Sequence, residues 1–293
     1  MKPSNSDVTQ RLTPMLLLLL VISGGASGAG SPADSDSNPC GMPGPLFERM
    51  DHLLSASSTL DYDGTLLVEN GRGREFIAVS SAADAASFRR LTRVAGDPSR
   101  PIAPIPAEYR TPCSLARSYG LVVEAAAGVV AGRATYRLTA RPRDNLRFAY
   151  VMDVDAELHL PLRVLTVSPD GQVLELYEFA DVTIQPRTAT MAVPEGEESA
   201  AYRLATIPPG FELISEGKAP VDYLVLSDGL TNVSVFIEVQ PRSLPSGEGV
   251  AQRGATLTYT RGTANDRLIT VLGEIPVPTA RLLADAVRPR EGS

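Results

Sequence analysis

The chain contains few of the side chains on which most enzymes and metal sites depend. It has only two histidines, His52 and His159, and two cysteines, Cys40 and Cys113, among 293 residues. Neither histidine has a cysteine or another histidine at metal-ligand spacing, so we expect both to be structural. The sequence also lacks a P-loop, a dinucleotide-binding glycine motif and a nucleophile elbow. We therefore predict no cofactor, no metal and no enzymatic activity.

An excess of positive charge is absent as well. The formal net charge is −7 at pH 7. Proteins that bind nucleic acids neutralise phosphates with clusters of lysine and arginine, and this chain has no comparable basic block. The same deficit disfavours simple electrostatic binding to an anionic membrane. These absences exclude nucleic acid as the expected partner.

The only long apolar run, residues 15–22, lies near the N-terminus. It is shorter than the roughly 20 residues that a transmembrane helix needs. A weakly positive segment precedes it and the small residues 27–29 follow it, which is the pattern of a secretory signal peptide. We predict a signal peptide over residues 1–29, a flexible leader over 30–44, and export of the remaining chain.

Two cysteines in an exported protein can form a disulfide bond. Bridging Cys40 and Cys113 would stabilise the fold by roughly 4 kcal/mol in the chain-entropy model. Two unpaired thiols are the alternative. We favour the disulfide, and the pair is the candidate bridge of this chain.

Hydrophobic periodicity predicts one helix followed by a series of strands in the first half of the chain. Apolar residues recur at helical spacing from Leu46 to Leu54, and Asn70-Gly71 predicts a hairpin turn. The predicted strands cover residues 60–68, 75–79, 121–124, 132–138, 147–154, 161–167 and 173–181. Residues 80–118 give no clear pattern because prolines interrupt them.

The second half begins after a linker rich in proline and acidic residues, predicted over 186–200. Residues 221–238 alternate as two strands around Ser227-Asp228-Gly229, whose chemistry is typical of a turn. A terminal helix is predicted over 279–287, with Thr279 as its N-cap. About 260 exported residues favour two domains, which we place at 45–185 and 201–290.

Three carboxylates near one predicted turn, Asp153, Asp155 and Glu157, need a separate assessment. Period-2 spacing would aim them at one face of a strand, where their oxygens could bind Ca²⁺. The EF-hand glycine and its distant glutamate are missing. A solvated end of a hairpin is therefore the expected structure.

Several short motifs, in their order and spacing, resemble the RseB/MucB family of periplasmic sigma-E regulators. The resemblance covers nearly all of residues 45–288. The motifs that carry it lie at residues 60–65, 130–133, 142–144, 147–150, 160–162, 170–175, 221–238, 254–261 and 269–276.

The resemblance implies an α+β fold. Its N-terminal domain would be similar to the lipoprotein carriers LolA and LppX, an unclosed antiparallel β-barrel that wraps helices. Its C-terminal domain would be a smaller αβ domain. The implied function is negative regulation of an envelope-stress sigma factor in the periplasm. Family members bind the periplasmic segment of a transmembrane anti-sigma factor and shield it from proteolysis until a lipid or lipopolysaccharide signal releases them.

The resemblance also directs the choice of candidate site residues. We expect partner contacts in the C-terminal sheet, at Leu224, Leu226, Val233, Val235 and Phe236. A periplasmic lipid or lipoprotein carrier is the alternative function, and a homo-oligomer is a further expectation. The lipid cavity would be lined by Tyr150, Val164, Leu174 and Leu176.

Overall fold

Antiparallel sheets and short helices make up most of the described chain. The structure is a computed structural model, and it describes residues 40–80, 90–95, 111–187, 199–218, 221–241, 247–263 and 265–290. The predicted signal peptide, most of the predicted leader and most of the predicted linker lie outside these ranges. The described residues belong to one compact unit.

An eight-stranded antiparallel sheet and two helices form the N-terminal part of the fold, here called the N-terminal sheet. Its elements are α1 (Gly44–Thr59), β1 (Leu60–Asn70), β2 (Gly73–Ser80), β3 (Arg90–Ala95), α2 (Pro112–Ser118), β4 (Tyr119–Val130), β5 (Arg133–Pro142), β6 (Ala149–Asp155), β7 (Pro161–Val167) and β8 (Val173–Pro186). The strand order is β3-β2-β1-β8-β7-β6-β5-β4. Strands β3 and β4 are thus the two edges, and the sheet is unclosed, as predicted.

Helix α1 packs on the inner face of this sheet through the side chains that the sequence pattern indicated. Pro45 lies in the first turn, where its missing N–H removes no helical hydrogen bond. Met50, Leu53 and Leu54 are at most 4% exposed. Burying side chains of this size contributes about 1.5–3 kcal/mol each, so packing holds the helix in place.

Residues 80–118 contain two elements that the sequence did not indicate, β3 and α2. The Thr111 Oγ1 accepts a hydrogen bond from the Ser114 N–H at 3.3 Å, and Pro112 occupies the first helical turn. These are ordinary signals for the start of a helix. The helix has only seven residues, which is too short for a recognisable period.

A disulfide bond joins Cys40 to Cys113, with their Cα atoms 5.4 Å apart. Cys40 lies just before α1, and Cys113 lies in the first turn of α2. The bond closes a loop that contains α1 and the first three strands. It therefore holds the start of the described chain against the second helix.

A six-stranded antiparallel sheet and one helix form the C-terminal part, here called the C-terminal sheet. Its elements are β10 (Glu212–Gly217), β11 (Asp222–Ser227), β12 (Asn232–Val239), β13 (Glu248–Arg253), β14 (Thr256–Gly262), β15 (Arg267–Gly273) and α3 (Val277–Ala286). The strand order is β10-β11-β12-β15-β14-β13. A separate pair is formed by β9 (Tyr202–Leu204) and β16 (Val287–Pro289).

Helix α3 covers one face of the C-terminal sheet, and the predicted N-cap is wrong. The helix begins at Val277 after Pro276, which makes no side-chain cap. Thr279 lies inside the helix and donates its hydroxyl hydrogen to the Leu146 carbonyl at 2.6 Å. That side chain therefore contacts the N-terminal part instead of capping its own helix.

Among the described residues, none of the helices has the length and apolar character needed to cross a membrane.

Removing the disulfide should destabilise the chain. We expect the double variant Cys40→Ala/Cys113→Ala to lose roughly 4 kcal/mol of unfolding free energy, because the open chain gains entropy on unfolding. Urea unfolding followed by circular dichroism measures this loss. A reductant should bring the natural chain to the same midpoint and leave the double variant unchanged. A natural chain insensitive to reductant would contradict the prediction.

Candidate functional site at the junction of the two sheets

Arg147 joins the two sheets through a guanidinium that is only 1% exposed. The residue lies between β5 and β6. Its Nε donates to Asp228 Oδ2 at 2.9 Å, and its Nη2 donates to the Pro209 carbonyl oxygen at 2.6 Å. Both acceptors belong to the C-terminal part, while Nη1 donates to Asp144 in the N-terminal part. A planar group with fixed donors thus contacts both parts of the chain at once.

Two aromatic rings lie against the same guanidinium. Its central carbon is 4.9 Å from the centre of the Phe211 ring and 5.7 Å from that of Tyr119. A cation held against aromatic faces gains electrostatic stabilisation, and more so where water is excluded. Phe211 comes from the C-terminal part and Tyr119 from the N-terminal part, so the stacking also spans the junction.

Asp228, the counter-ion, is fully buried in the turn between β11 and β12. Its Oδ2 also accepts a hydrogen bond from the Tyr119 hydroxyl at 2.7 Å. Its Oδ1 accepts from the N–H groups of Leu230 and Thr231, each at 3.0 Å. Burial, followed by the Asp228 charge, raises the pKa of Tyr119 well above its ordinary value, which keeps the hydroxyl a donor.

The tip of the β11–β12 turn enters the core of the N-terminal sheet. Leu230 packs against the apolar cluster that lies between the inner face of that sheet and α1. The Ser227 hydroxyl donates to the Thr231 carbonyl at 2.9 Å and accepts the Gly229 N–H at 3.1 Å, which fixes the turn. A turn predicted as a local feature is therefore an intersheet contact.

A second contact lies where the β13–β14 turn meets the N-terminal sheet. Arg253 Nη2 donates to Glu75 Oε1 at 2.8 Å. Glu175 accepts two hydrogen bonds, from Asn70 Nδ2 at 3.1 Å and from the Ala255 N–H at 3.3 Å. Glu75 and Glu175 are each 3% exposed. Carboxyl groups with so little contact to water need such donors to offset the cost of their burial.

Glu274, which follows β15, extends this second contact. Its Oε2 accepts a hydrogen bond from the Tyr150 hydroxyl at 3.5 Å. Desolvation of this half-buried side chain, followed by the charge of Glu175, raises the pKa of Glu274 to about 7. Burial also raises the pKa of Glu175. The Glu274 carboxyl therefore changes its charge near neutral pH.

The structure does not support most of the predicted partner contacts. Leu224, Leu226, Val233 and Val235 are at most 1% exposed and lie in the core of the C-terminal sheet under α3. The prediction is corrected for these four, because strand alternation turns them toward the helix. Phe236 points to the other face and is half-buried.

The four predicted cavity residues do not share one face. Tyr150 and Val164 lie on the inner face of the N-terminal sheet, where Val164 is paired with Tyr177. Leu174 and Leu176 alternate with Tyr177 along β8 and thus lie on the outer face. The four residues therefore do not line a single cavity.

The remaining candidates are held by structural contacts. The His52 and His159 rings lie 4.8 Å apart between their centres, although 107 positions separate them in the chain. Asp153 pairs with Arg137 at 2.7 Å, and Asp155 pairs with Arg133. Among the described residues, no three His, Cys, Asp or Glu side chains are grouped to bind a metal.

Comparison with known proteins assigns the family. The model of the MucB/RseB N-terminal domain matches residues 70–197, and that of the MucB/RseB C-terminal domain matches residues 196–288. The chain belongs to the MucB/RseB family. This confirms the resemblance found in the sequence. The family is one of regulatory proteins, in agreement with the prediction that the chain is not an enzyme.

Two curated relatives illustrate the similarity. The sigma factor AlgU regulatory protein MucB of Pseudomonas aeruginosa is 31% identical over 183 residues, which is 55% of this chain and 58% of the relative. The sigma-E factor regulatory protein RseB of Escherichia coli K12 is 27% identical over 168 residues, 50% of this chain and 52% of the relative. The chain spans about half the length of the curated relatives it matches.

Solved structures confirm the fold class. A crystal structure of MucB covers 85% of this chain and 99% of its own, with a TM-score of 0.64 and 22% identity. The MucA/MucB complex of Pseudomonas aeruginosa covers 85% of this chain and 100% of the matched chain, with a TM-score of 0.63 and 24% identity. The α+β arrangement of an unclosed antiparallel sheet and a smaller sheet is thus that of MucB.

Breaking the ion pair at the junction should destabilise the whole chain. We expect Arg147→Ala to cost about 3–5 kcal/mol of unfolding free energy, because it leaves Asp228 buried without its counter-ion. The matched control is Arg74→Ala, which removes an exposed ion pair to Glu69 and should cost less than about 1 kcal/mol. Equal losses in the two variants, measured by urea unfolding, would contradict the prediction.

A methyl group at Gly210 should also disturb the junction. A Cβ there would lie 2.2 Å from Ser118 Oγ and 2.9 Å from Arg147 Nη2. Gly210→Ala should therefore unfold at lower temperature than Gly171→Ala. Both glycines have positive φ, +80° and +86°, but a Cβ at Gly171 meets no atom within 4 Å. Equal melting temperatures for these variants would argue against close packing at Gly210.

Proposed function

We propose that this chain is a periplasmic negative regulator of an envelope-stress sigma factor. It binds the periplasmic segment of a transmembrane anti-sigma factor and shields that segment from regulated proteolysis. The observation that carries the proposal is the family match across both halves of the chain. It is supported by the names of the relatives and by a MucB structure solved in complex with the periplasmic part of MucA.

The disulfide supports a periplasmic location. Such bonds persist in oxidising compartments and are rare in the cytosol. The predicted signal peptide over residues 1–29 would direct export to the same compartment.

We assign the partner to the outer face of the C-terminal sheet. Helix α3 covers the inner face, so strand alternation leaves Val225, Phe236 and Leu272 on the opposite side. All three are half-buried apolar side chains. Val225 and Leu272 are both paired with Ser234, two residues before Phe236, so the three lie together on adjacent strands. An amphipathic segment could place its apolar side chains on such a surface.

Shielding and release both follow from binding of the partner segment to this face. A segment bound to this face cannot enter a protease active site at the same time. A lipid or lipopolysaccharide signal would release the partner only by binding the partner-free conformation more tightly. The alternative, a lipid carrier, needs an apolar cavity, and the residues predicted to line it lie on both faces of the N-terminal sheet.

Calorimetric binding to the periplasmic segments of the organism's own anti-sigma factors tests the function. The chain from Gly30 onward should bind one of them at a one-to-one ratio and protect it from protease. Phe236→Ala should weaken binding about tenfold or more if the side chain is an anchor of the interface. The matched control is Val129→Ala, an exposed apolar side chain of β4 that is 71% accessible.

The outcomes separate the two functions. Absence of binding to every segment, with acyl lipids found by mass spectrometry in the purified chain, would favour the carrier. Binding that Phe236→Ala and Val129→Ala weaken equally would retain the regulator and reject the assigned surface.

A further inference from the structure

Ionisable side chains from both sheets converge at the second contact of the junction. Strand β2 supplies Glu75, β6 supplies Tyr150, and β8 supplies Glu175 and Tyr177. The C-terminal part supplies Arg253 and Glu274. Glu75, Glu175 and Glu274 each accept a hydrogen bond across the contact, and the charges of the group act on one another.

Positive charge at this contact is insufficient for its three carboxyl groups. Arg253 donates to Glu75 at 2.8 Å. Glu175 has two N–H donors, whereas the described contact of the Glu274 carboxyl is a long hydrogen bond of 3.5 Å from Tyr150. Glu274 is half-buried and accepts the longest of these hydrogen bonds. Gly273, the residue before it, is paired with Leu257, two residues after Ala255, so Glu274 lies beside the segment whose N–H binds Glu175.

We propose that Glu274 is a proton-operated latch between the two sheets. When it is protonated, the carboxyl carries no charge and can lie beside Glu175 and Tyr150 with the sheets in contact. When it ionises, repulsion between its charge and that of Glu175 favours separation of the C-terminal part at this contact. The latch requires no partner, so it can be tested on the free chain.

The direction of the pH effect follows from the pKa. Folding raises the pKa of Glu274 from 4.5 to about 7. The folded chain therefore binds more protons than the unfolded chain between these two values, and its stability falls as the pH rises through this interval. The loss is complete once the pH is well above about 7.

Other groups titrate in the same range and must be separated from the latch. The pKa of His159 is lowered, mainly by burial and then by His52, so its contribution falls as the pH decreases. Burial raises the pKa of Tyr150, and the charge of Asp228, at the first contact, also raises it. Subtracting the pH profile of Glu274→Gln from that of the natural chain removes these common contributions.

Melting temperatures measured between about pH 5 and about pH 8 provide the first test. Glutamine resembles the protonated carboxyl, so Glu274→Gln should become progressively more stable than the natural chain as the pH rises, up to a plateau near neutral pH. The matched control Glu124→Gln removes an exposed carboxylate of β4 and should differ from the natural chain by a constant amount. A constant difference for Glu274→Gln as well would overturn the latch.

Two measurements on the natural chain remain decisive if Glu274→Gln folds poorly. Carbon-13 NMR of the glutamate carboxyls should show one group, assigned to Glu274, that titrates near 7 instead of near 4.5. The Ala255 N–H, which donates to Glu175, should lose hydrogen-exchange protection over the same interval after correction for the intrinsic rate. Titration near 4.5, or protection that does not change, would overturn the proposal.

Discussion

The arrangement of the two sheets depends on one buried ion pair, between Arg147 and Asp228. Both side chains are almost completely removed from water, with 1% and 0% exposed. A buried charge that loses its partner costs several kcal/mol, so the sheets cannot separate at this point without rehydrating both groups. The Tyr119 hydroxyl, the Pro209 carbonyl and two N–H groups of the turn complete the hydrogen bonding. The junction therefore specifies one geometry, which an apolar contact alone would not.

The β11–β12 hairpin connects this junction to the surface assigned to the partner. Its inward side chains form the core under α3, and its turn holds Asp228 and places Leu230 in the core of the N-terminal sheet. Its outward side chains include Val225 and Phe236. One short segment thus serves stability, intersheet contact and the proposed recognition. The same two strands therefore connect the buried turn to the face proposed to bind the partner.

Local patterns predicted α1, every strand of the N-terminal sheet except β3, and the hairpins at Asn70-Gly71 and at residues 221–238, because periodicity and turn chemistry act over a few residues. The family could be recognised from the order of short motifs. The junction could not be predicted: Arg147 and Asp228 both stood in noticed motifs, but 81 positions separate them and no local signal pairs them. The meeting of Glu175 and Glu274 at the second contact could not be predicted for the same reason, because these residues are also far apart in the chain. The five predicted partner residues were chosen because they lie on two neighbouring predicted strands. That choice did not distinguish the side chains that face α3 from those on the opposite face, where Phe236 lies.

A double-mutant cycle on Arg147 and Asp228 tests most directly whether this pair joins the sheets. The variants are Arg147→Met, Asp228→Asn and their combination, each unfolded in urea and followed by circular dichroism. If the pair is coupled as the structure indicates, the double variant should lose less stability than the sum of the single losses, by about 2 kcal/mol or more. Additive losses would mean that the two side chains act independently and would contradict the central role of the ion pair.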